Sequence, residues 1–364
     1  MYNFWFAVED QASLQSLKRG IERSEINPTW FPVVARQPHP FNNLASALSK
    51  AILRGGVDAL FYESLRQPLP PSSLTRRIPT LVSLQNVPTV SDEIAKAKPA
   101  GFVVWSEWAR TELIKNFKVA PNRVLVVRSG VDLVNWDEAL GTFERARAQK
   151  TGLPERVRLL FIADDFAGLG GEFLLDFFKN NPRLAESCEL HLVVNRNAAA
   201  TYLNSATRPP HMHVHTYVQP RYEPTELFLN ADICVLPSHK PTCPSLVAKA
   251  MAACLPIVAT RVGGLPELVR DGQSGLLIEP GDQAGLAQAL QCLIEDPARR
   301  YALGEGARRI AEAEFDASIN TRKILTFLKQ ITAEARTNLA TAPSFNRFAT
   351  LPAPVHYVYP SLRE

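Results

Sequence analysis

The residues best suited to chemistry lie in the stretch VGGLPELV, where Gly263 and Gly264 precede Leu265, Pro266 and Glu267. Two glycines let a backbone approach an anion closely, and proline suits the first turn of a helix. The helix start then offers unpaired N–H groups and the positive end of a dipole, so a phosphate is the natural ligand. A plain strand-to-helix turn looks the same when it stands alone, and the neighbouring sequence must decide. Lys249 carries only donors and can pair with a phosphate; Lys240 and Arg221 could approach a diphosphate, but a solvated surface is the better reading for each. His211, His213 and His215 alternate in HMHVHTYV. On a strand they would share a face and could gather a metal. No carboxylate or cysteine lies nearby in sequence, so the expectation is an ordinary strand start after Pro209 and Pro210, with no metal. Cys243 and His239 are likewise not expected to form a nucleophile pair.

These residues need a frame to hold them. Short apolar runs alternate with longer helical patterns along the whole chain. Strands are expected near Phe4–Val8, Phe31–Val34, Ala59–Tyr62, Thr80–Leu84, Gly101–Trp105 and Val124–Val127. Their runs are apolar on both faces, as in sheets buried between helix layers. Helical patterns include Leu14–Glu22 and Leu44–Leu53. A charged stretch from Phe143 to Arg158, broken by Gly152 and Pro154, separates two halves. The pattern then restarts, with strands near Leu159–Ile162, Leu190–Val194, Val214–Tyr217, Ile233–Leu236, Ile257–Ala259 and Leu276–Ile278. Helices are expected near Gly171–Lys179, Leu246–Ala253, Ala284–Ile294, Arg299–Glu314 and Ile319–Ala335. Repeated βα units imply parallel, doubly wound sheets, whose ligands sit at the carboxyl ends of the strands.

Composition fits that frame. The 364 residues suit two domains, with 46% apolar and 21% charged residues. A net charge of +4 is too small and too dispersed to point to nucleic acid. The five cysteines include no C-x-x-C pair and read as reduced thiols, which implies a cytoplasmic protein. The start, MYNFWFAVEDQ, lacks a basic region and reads as a first strand. No apolar run would span a bilayer, so membrane contact would be peripheral.

The segment from Ala231 to Asp282 (ADICVLPSHKPTCPSLVAKAMAACLPIVATRVGGLPELVRDGQSGLLIEPGD) resembles the donor-nucleotide segment of the retaining glycosyltransferases of family four, which have the GT-B fold. The likeness covers most of residues 155 to 336. It extends more weakly over Gly101 to Asp132, where VVWSEWARTELIKNF and VLVVRSGVD are similar to the family's strand–Ser–helix and "pnGvD" segments. The resemblance implies an α/β protein with two Rossmann-like domains facing a central cleft. Residues 1–150 would be the acceptor-side domain and 151–318 the donor domain; a helix over 319–336 would cross back to the first domain, before a Pro/Ala-rich tail over 337–364.

It also implies a function. A sugar would pass with retention from a nucleotide-diphosphate sugar to a glycan, lipid or small-molecule acceptor, with no metal or other cofactor. Gly170, Gly171, Gly263, Gly264, Leu265 and Pro266 would hold the diphosphate, Glu267 would orient the donor, and Lys249 would act as a phosphate cation. Gln85 would face the sugar from the other domain. The chain departs from the family pattern in the cleft itself. Leu169 stands where a lysine reaches the phosphates, with Ala163 at an earlier glycine. Pro241 and Lys249 replace a pair of glutamates, Gln85 replaces a histidine, and Val8-Glu9-Asp10-Gln11 carries no glycine. Cys254 replaces a glycine at a helix end that normally needs a positive φ. The alternative is therefore a catalytically degenerate GT-B protein acting as a binding or scaffold subunit.

Overall fold

A computed structural model describes residues 2–8, 17–18, 21, 26–32, 56–64, 78–84, 98–148, 156–163, 165–202, 211–217, 225–241 and 244–341. Six strands form the first sheet: β1 (Tyr2–Val8), β2 (Ile26–Pro32), β3 (Ala59–Ser64), β4 (Thr80–Leu84), β5 (Gly101–Val104) and β6 (Val124–Val126). Their order is β2-β1-β3-β4-β5-β6, with every pairing parallel. Helices α1 (Glu107–Phe117) and α2 (Leu133–Ala148) follow β5 and β6.

The second sheet begins with β7 (Val157–Ala163), followed by α3 (Gly171–Asn180), α4 (Pro182–Ser187), β8 (Cys188–Asn195), α5 (Arg196–Tyr202) and β9 (Met212–Tyr217). It continues through α6 (Thr225–Asn230), β10 (Ile233–Leu236), α7 (Pro244–Ala252), β11 (Ile257–Thr260), α8 (Leu265–Leu268) and β12 (Gly275–Ile278). Its order, β12-β11-β10-β7-β8-β9, is again wholly parallel. Helices α9 (Gln283–Glu295), α10 (Pro297–Glu314) and α11 (Ala317–Thr341) close the described chain.

Both sheets are doubly wound and face a cleft, which is the expected α/β architecture. The alternation of side chains explains the burial. On β7 and β10, Leu159, Phe161, Ile233 and Val235 enter one core layer, while Leu160, Cys234 and Leu236 enter the other. Parallel strands covered on both faces must be apolar on both. Strand β2 starts at Ile26, earlier than the sequence pattern suggests, and contains Pro28. Proline survives there because β2 is an edge strand paired only to β1. The helical pattern at Leu44–Leu53 lies outside the described residues.

Two segments tie the halves together. On α11, Leu325, Phe327, Leu328 and Ile331 pack with Phe4, Phe6, Phe61 and Leu81 of the first sheet. This helix is longer at both ends than the Ile319–Ala335 pattern. On α2, Trp136 packs edge-on against Phe228 of α6, with ring centroids 5.8 Å apart. Between them the chain crosses at Asp316. The Val131 N–H donates to the Phe315 carbonyl at 2.7 Å, and the Ala317 N–H donates to the Val131 carbonyl at 3.1 Å.

Asp316 starts α11. Its carboxylate accepts from the backbone N–H groups of Ser318 and Ile319 and from the Ser318 hydroxyl, at 2.8, 3.0 and 2.6 Å. Burial alone would raise its pKa, but the Ser318 hydroxyl and those backbone groups hold the carboxyl below its ordinary value. Such a carboxyl contributes stability above its ordinary pKa that is lost as pH falls through the depressed one. Asp316→Ala should cost about 1–2 kcal/mol near neutral pH. In denaturant titrations the gap to the unmutated protein should close below about pH 4. A gap that persists undiminished in acid would show that the carboxylate is not what holds the crossing.

Candidate functional site

The carboxyl ends of both sheets meet where α1 begins. Ser106 follows β5, is fully buried, and caps α1 by accepting from the Ala109 N–H at 3.0 Å. Across the cleft, β11 ends at Thr260 and leads into the Gly263–Gly264 turn. Gly263 has φ +54, in the left-handed region that glycine tolerates. A Cβ on Gly264 would lie 2.5 Å from the Trp105 ring and 2.6 Å from Ser106 Cβ. Glycine is therefore required there by the first domain, which leans directly on the turn. A Cβ on Gly263 would meet Pro241 at 3.0 Å and Trp108 at 3.5 Å. Pro241 thus packs beside the turn.

Leu265 is fully buried and starts α8, only four residues long, with Pro266 exposed in its first turn. Glu267 extends from α8 to the other domain. One carboxylate oxygen accepts from the Trp108 N–H and the other from the Glu107 N–H, both at 2.8 Å. With Ser106, it satisfies the first three amides of α1, where a negative charge also meets the positive end of the helix. Arg128 completes the node. Its guanidinium donates to the Trp105 carbonyl at 2.7 Å and to Glu267 at 3.2 Å, and pairs with Glu314 at 3.7 Å. Asn320 of α11 donates to the carbonyls of Arg128 and Glu314.

A second glycine turn precedes α3. Asp165 accepts from the Gly168 N–H at 3.0 Å and pairs with Lys240 at 3.4 Å. Gly170 has φ +86, and a Cβ there would collide with the Pro237 carbonyl oxygen. Gly171 opens α3 against the Phe166 ring. No side chain caps this ten-residue helix. The turn sits at the carboxyl ends of β7 and β10, where the strand order reverses direction, the usual binding crevice of a doubly wound sheet. Leu169 is turned into the core. Lys240, a surface cation as the sequence suggests, is exposed and stands beside this turn.

Lys249 lies half-buried on α7. Two residues past the end of α7, Cys254 has φ +58, so the position keeps the left-handed geometry despite its side chain. Gln85, Arg221 and Cys243 lie outside the described residues. Burial pushes the Cys234 thiol up to about 12, and burial with the nearby Glu189 does the same for Cys188, so both are inert thiols.

Sequence reading missed two constellations. Arg128 lies in the quoted VLVVRSGVD, but its partners come from three distant segments. The histidines of β9 do have a carboxylate neighbour, Glu189, supplied with His191 by the adjacent strand β8.

Comparison with known proteins agrees with this architecture. Residues 167–296 match the family described as "Glycosyl transferases group 1". The D-inositol 3-phosphate glycosyltransferase of Salinispora arenicola is 30% identical over 242 residues, which are 61% of this chain and 53% of that protein. The chain spans about half the length of the curated relatives it matches. Among solved structures, sucrose-phosphate synthase from Thermosynechococcus elongatus superposes with TM-score 0.69 at 16% identity, covering 92% of this chain and all of that one. Anabaena HepE in complex with UDP-glucose gives 0.64 at 14% identity, covering 93% of this chain and all of that one. The chain has the GT-B fold, and its residues 167–296 are similar to the glycosyl transferases of group 1. Among the described residues, no helix is long and apolar enough to cross a membrane.

The node makes a measurable claim. Glu267→Ala should speed amide hydrogen exchange at Glu107 and Trp108 by about tenfold, as expected for losing about 1–2 kcal/mol of helix-end stabilisation. Exchange unchanged at both amides would show that the carboxylate does not secure the helix start.

Proposed function

We propose that this protein transfers a sugar from a nucleotide-diphosphate sugar to an acceptor with retention of anomeric configuration. The observation that carries this reading is the uncapped start of α3 at the crevice of the second sheet, with Lys240 held beside it by Asp165. A helix start without a side-chain cap, the positive end of its dipole and a neighbouring cation are what a leaving diphosphate needs. The Glycosyl transferases group 1 match, which begins at residue 167 within this turn, supports it. So do relatives named for glycosyl transfer and a fold neighbour carrying UDP-glucose.

In this reading residues 151–318 bind the donor, residues 1–150 offer the acceptor side, and Gln85 faces the sugar. Helix α11, over Ala317–Thr341, joins the two domains. Gly170 and Gly171 hold the diphosphate from one side, with the Gly263–Pro266 turn closing the other. Lys240 and Lys249 replace the charge lost at Leu169. Glu267 acts as a positioning residue, fixing the distance between the two halves of the cleft through α1. No metal is needed, because helix ends and lysines neutralise the leaving group. The acceptor is a glycan, a lipid or a small molecule, and the setting is cytoplasmic with at most peripheral membrane contact.

A second reading, a GT-B protein that binds without catalysis, is favoured by Pro241, which fills space beside Gly263 where a carboxylate would serve the sugar. Thermal-shift titration with UDP, GDP and ADP and their sugars separates the two. One nucleotide should stabilise the protein, by RT ln(1 + [L]/Kd), which is about 2.7 kcal/mol at a hundredfold excess over Kd. Lys240→Ala and Lys249→Ala should each weaken that nucleotide about tenfold. No shift with any nucleotide, in well-folded protein, overturns the transferase reading in favour of the scaffold.

A further inference from the structure

Strands β8 and β9 place Glu189, His191, His213 and His215 on one face of the second sheet. The parallel register sets His191 directly beside His213, and Val193 beside His215. Glu189 and His191, two residues apart on β8, point to the same side. One ligand atom from each of Glu189, His191 and His213 lies within 4.8 Å of the others. The three imidazoles are stacked, with His191 4.9 Å from His213 and 5.3 Å from His215 between ring centroids.

The polar atoms here are incompletely paired. His191 Nδ1 lies 3.1 Å from His215 Nε2, a hydrogen bond. Its other nitrogen, Nε2, is buried without a hydrogen-bond partner and faces a Glu189 oxygen at 3.6 Å, too far for a hydrogen bond. When Nδ1–H donates to His215, Nε2 presents a lone pair to a carboxylate oxygen. Two electron-rich atoms then face each other in a partly buried place, and a cation satisfies both.

We propose that Glu189, His191 and His213 bind a late first-row divalent cation, zinc above all, with His215 orienting His191 from outside the ligand set. Imidazole and carboxylate suit this class of metal, and two histidines with one glutamate leave a fourth position for water. Bonds of about 2.0–2.1 Å set tetrahedral ligand atoms about 3.4 Å apart, so side-chain movements of about 1 Å close the site. A hydrogen bond to the second nitrogen of a ligating histidine, as His215 provides, fixes the ring and its tautomer. The ligands stand in the leading half of β8 and near the start of β9, whereas the cleft lies at the strand ends. The ion would therefore clip the edge strand β9 to the sheet, without taking part in sugar transfer.

Untagged full-length protein, freed of metal by dialysis against a chelator and with its thiols alkylated, is titrated with zinc chloride at neutral pH by calorimetry. One equivalent should bind and raise the melting temperature. Cobalt in the same protein should give the visible absorption of a four-coordinate site without a thiolate band. His213→Gln, at an exposed position, and Glu189→Gln, which keeps the side-chain shape, should each weaken binding at least tenfold; His215→Gln should weaken it to a smaller degree. The proposal fails if no saturable binding occurs up to about 100 μM zinc. It fails equally if one equivalent binds with the same affinity after His213→Gln and Glu189→Gln, each verified as folded by circular dichroism. Because neither readout uses nucleotide, this outcome is independent of the donor site.

Discussion

Two sheets can face each other across a cleft only if something sets their spacing, and here the Glu267 carboxylate reaches across the gap. Glu267 belongs to the second domain, yet both of its oxygens rest on backbone amides of the first. A helix start is a fixed array of donors with a partial positive charge, so it accepts a carboxylate in one orientation. Arg128 holds the same carboxylate from the side and ties it to Glu314, and Asn320 returns the chain from α11 to the carbonyl of Arg128. Charges near a quarter exposed, with their remaining hydrogen-bonding capacity satisfied, gain more from each other than surface pairs do. The Asp316 crossing and the apolar face of α11 give the node its fixed surroundings.

That arrangement divides the helix starts at the cleft between two tasks. The start of α1 is already supplied with an anion by the protein itself. Helix α8 is a single turn whose leading glycines are covered by Trp105, Trp108 and Pro241. Helix α3 keeps its amides free of side-chain caps, and Lys240 stands by it. The β11–α8 side of the cleft is thus packed closely against the first domain, whereas a cation stands beside the start of α3 on the β7 side.

The strands were legible because each is a short apolar run bounded by turn residues, and burial on both faces leaves little ambiguity. Strand β2 was displaced because Pro28 breaks its pattern, and only its edge position, a property of the whole sheet, makes proline acceptable. Helix α11 ran beyond its expected ends because its apolar stripe is set by the first sheet, far away in sequence. Within the cleft, Gly170, Gly263 and Gly264 could be picked out as close-approach residues, and their geometry follows from backbone chemistry. What could not be read was partnership. Glu267 lies 160 positions from Glu107. The carboxylate that accompanies His213 lies on a strand whose register no local pattern reveals. Leu169 looked like a lost phosphate ligand, and its burial shows that the residue has taken a place in the core instead.

The close approach at Gly264 has a consequence for how such a chain can be recombined. Trp105 and Ser106 rest directly on that glycine, from a different domain, with no room for even a methyl group. The domains therefore do not behave as interchangeable modules. A chimera that takes its first half from one relative and its second from another inherits a working seam only if a bare backbone on one side meets a compatible ring and hydroxyl on the other. Substitutions on either surface are filtered by the opposite surface, so the two halves must diversify in step along this line even where the rest of each domain drifts on its own.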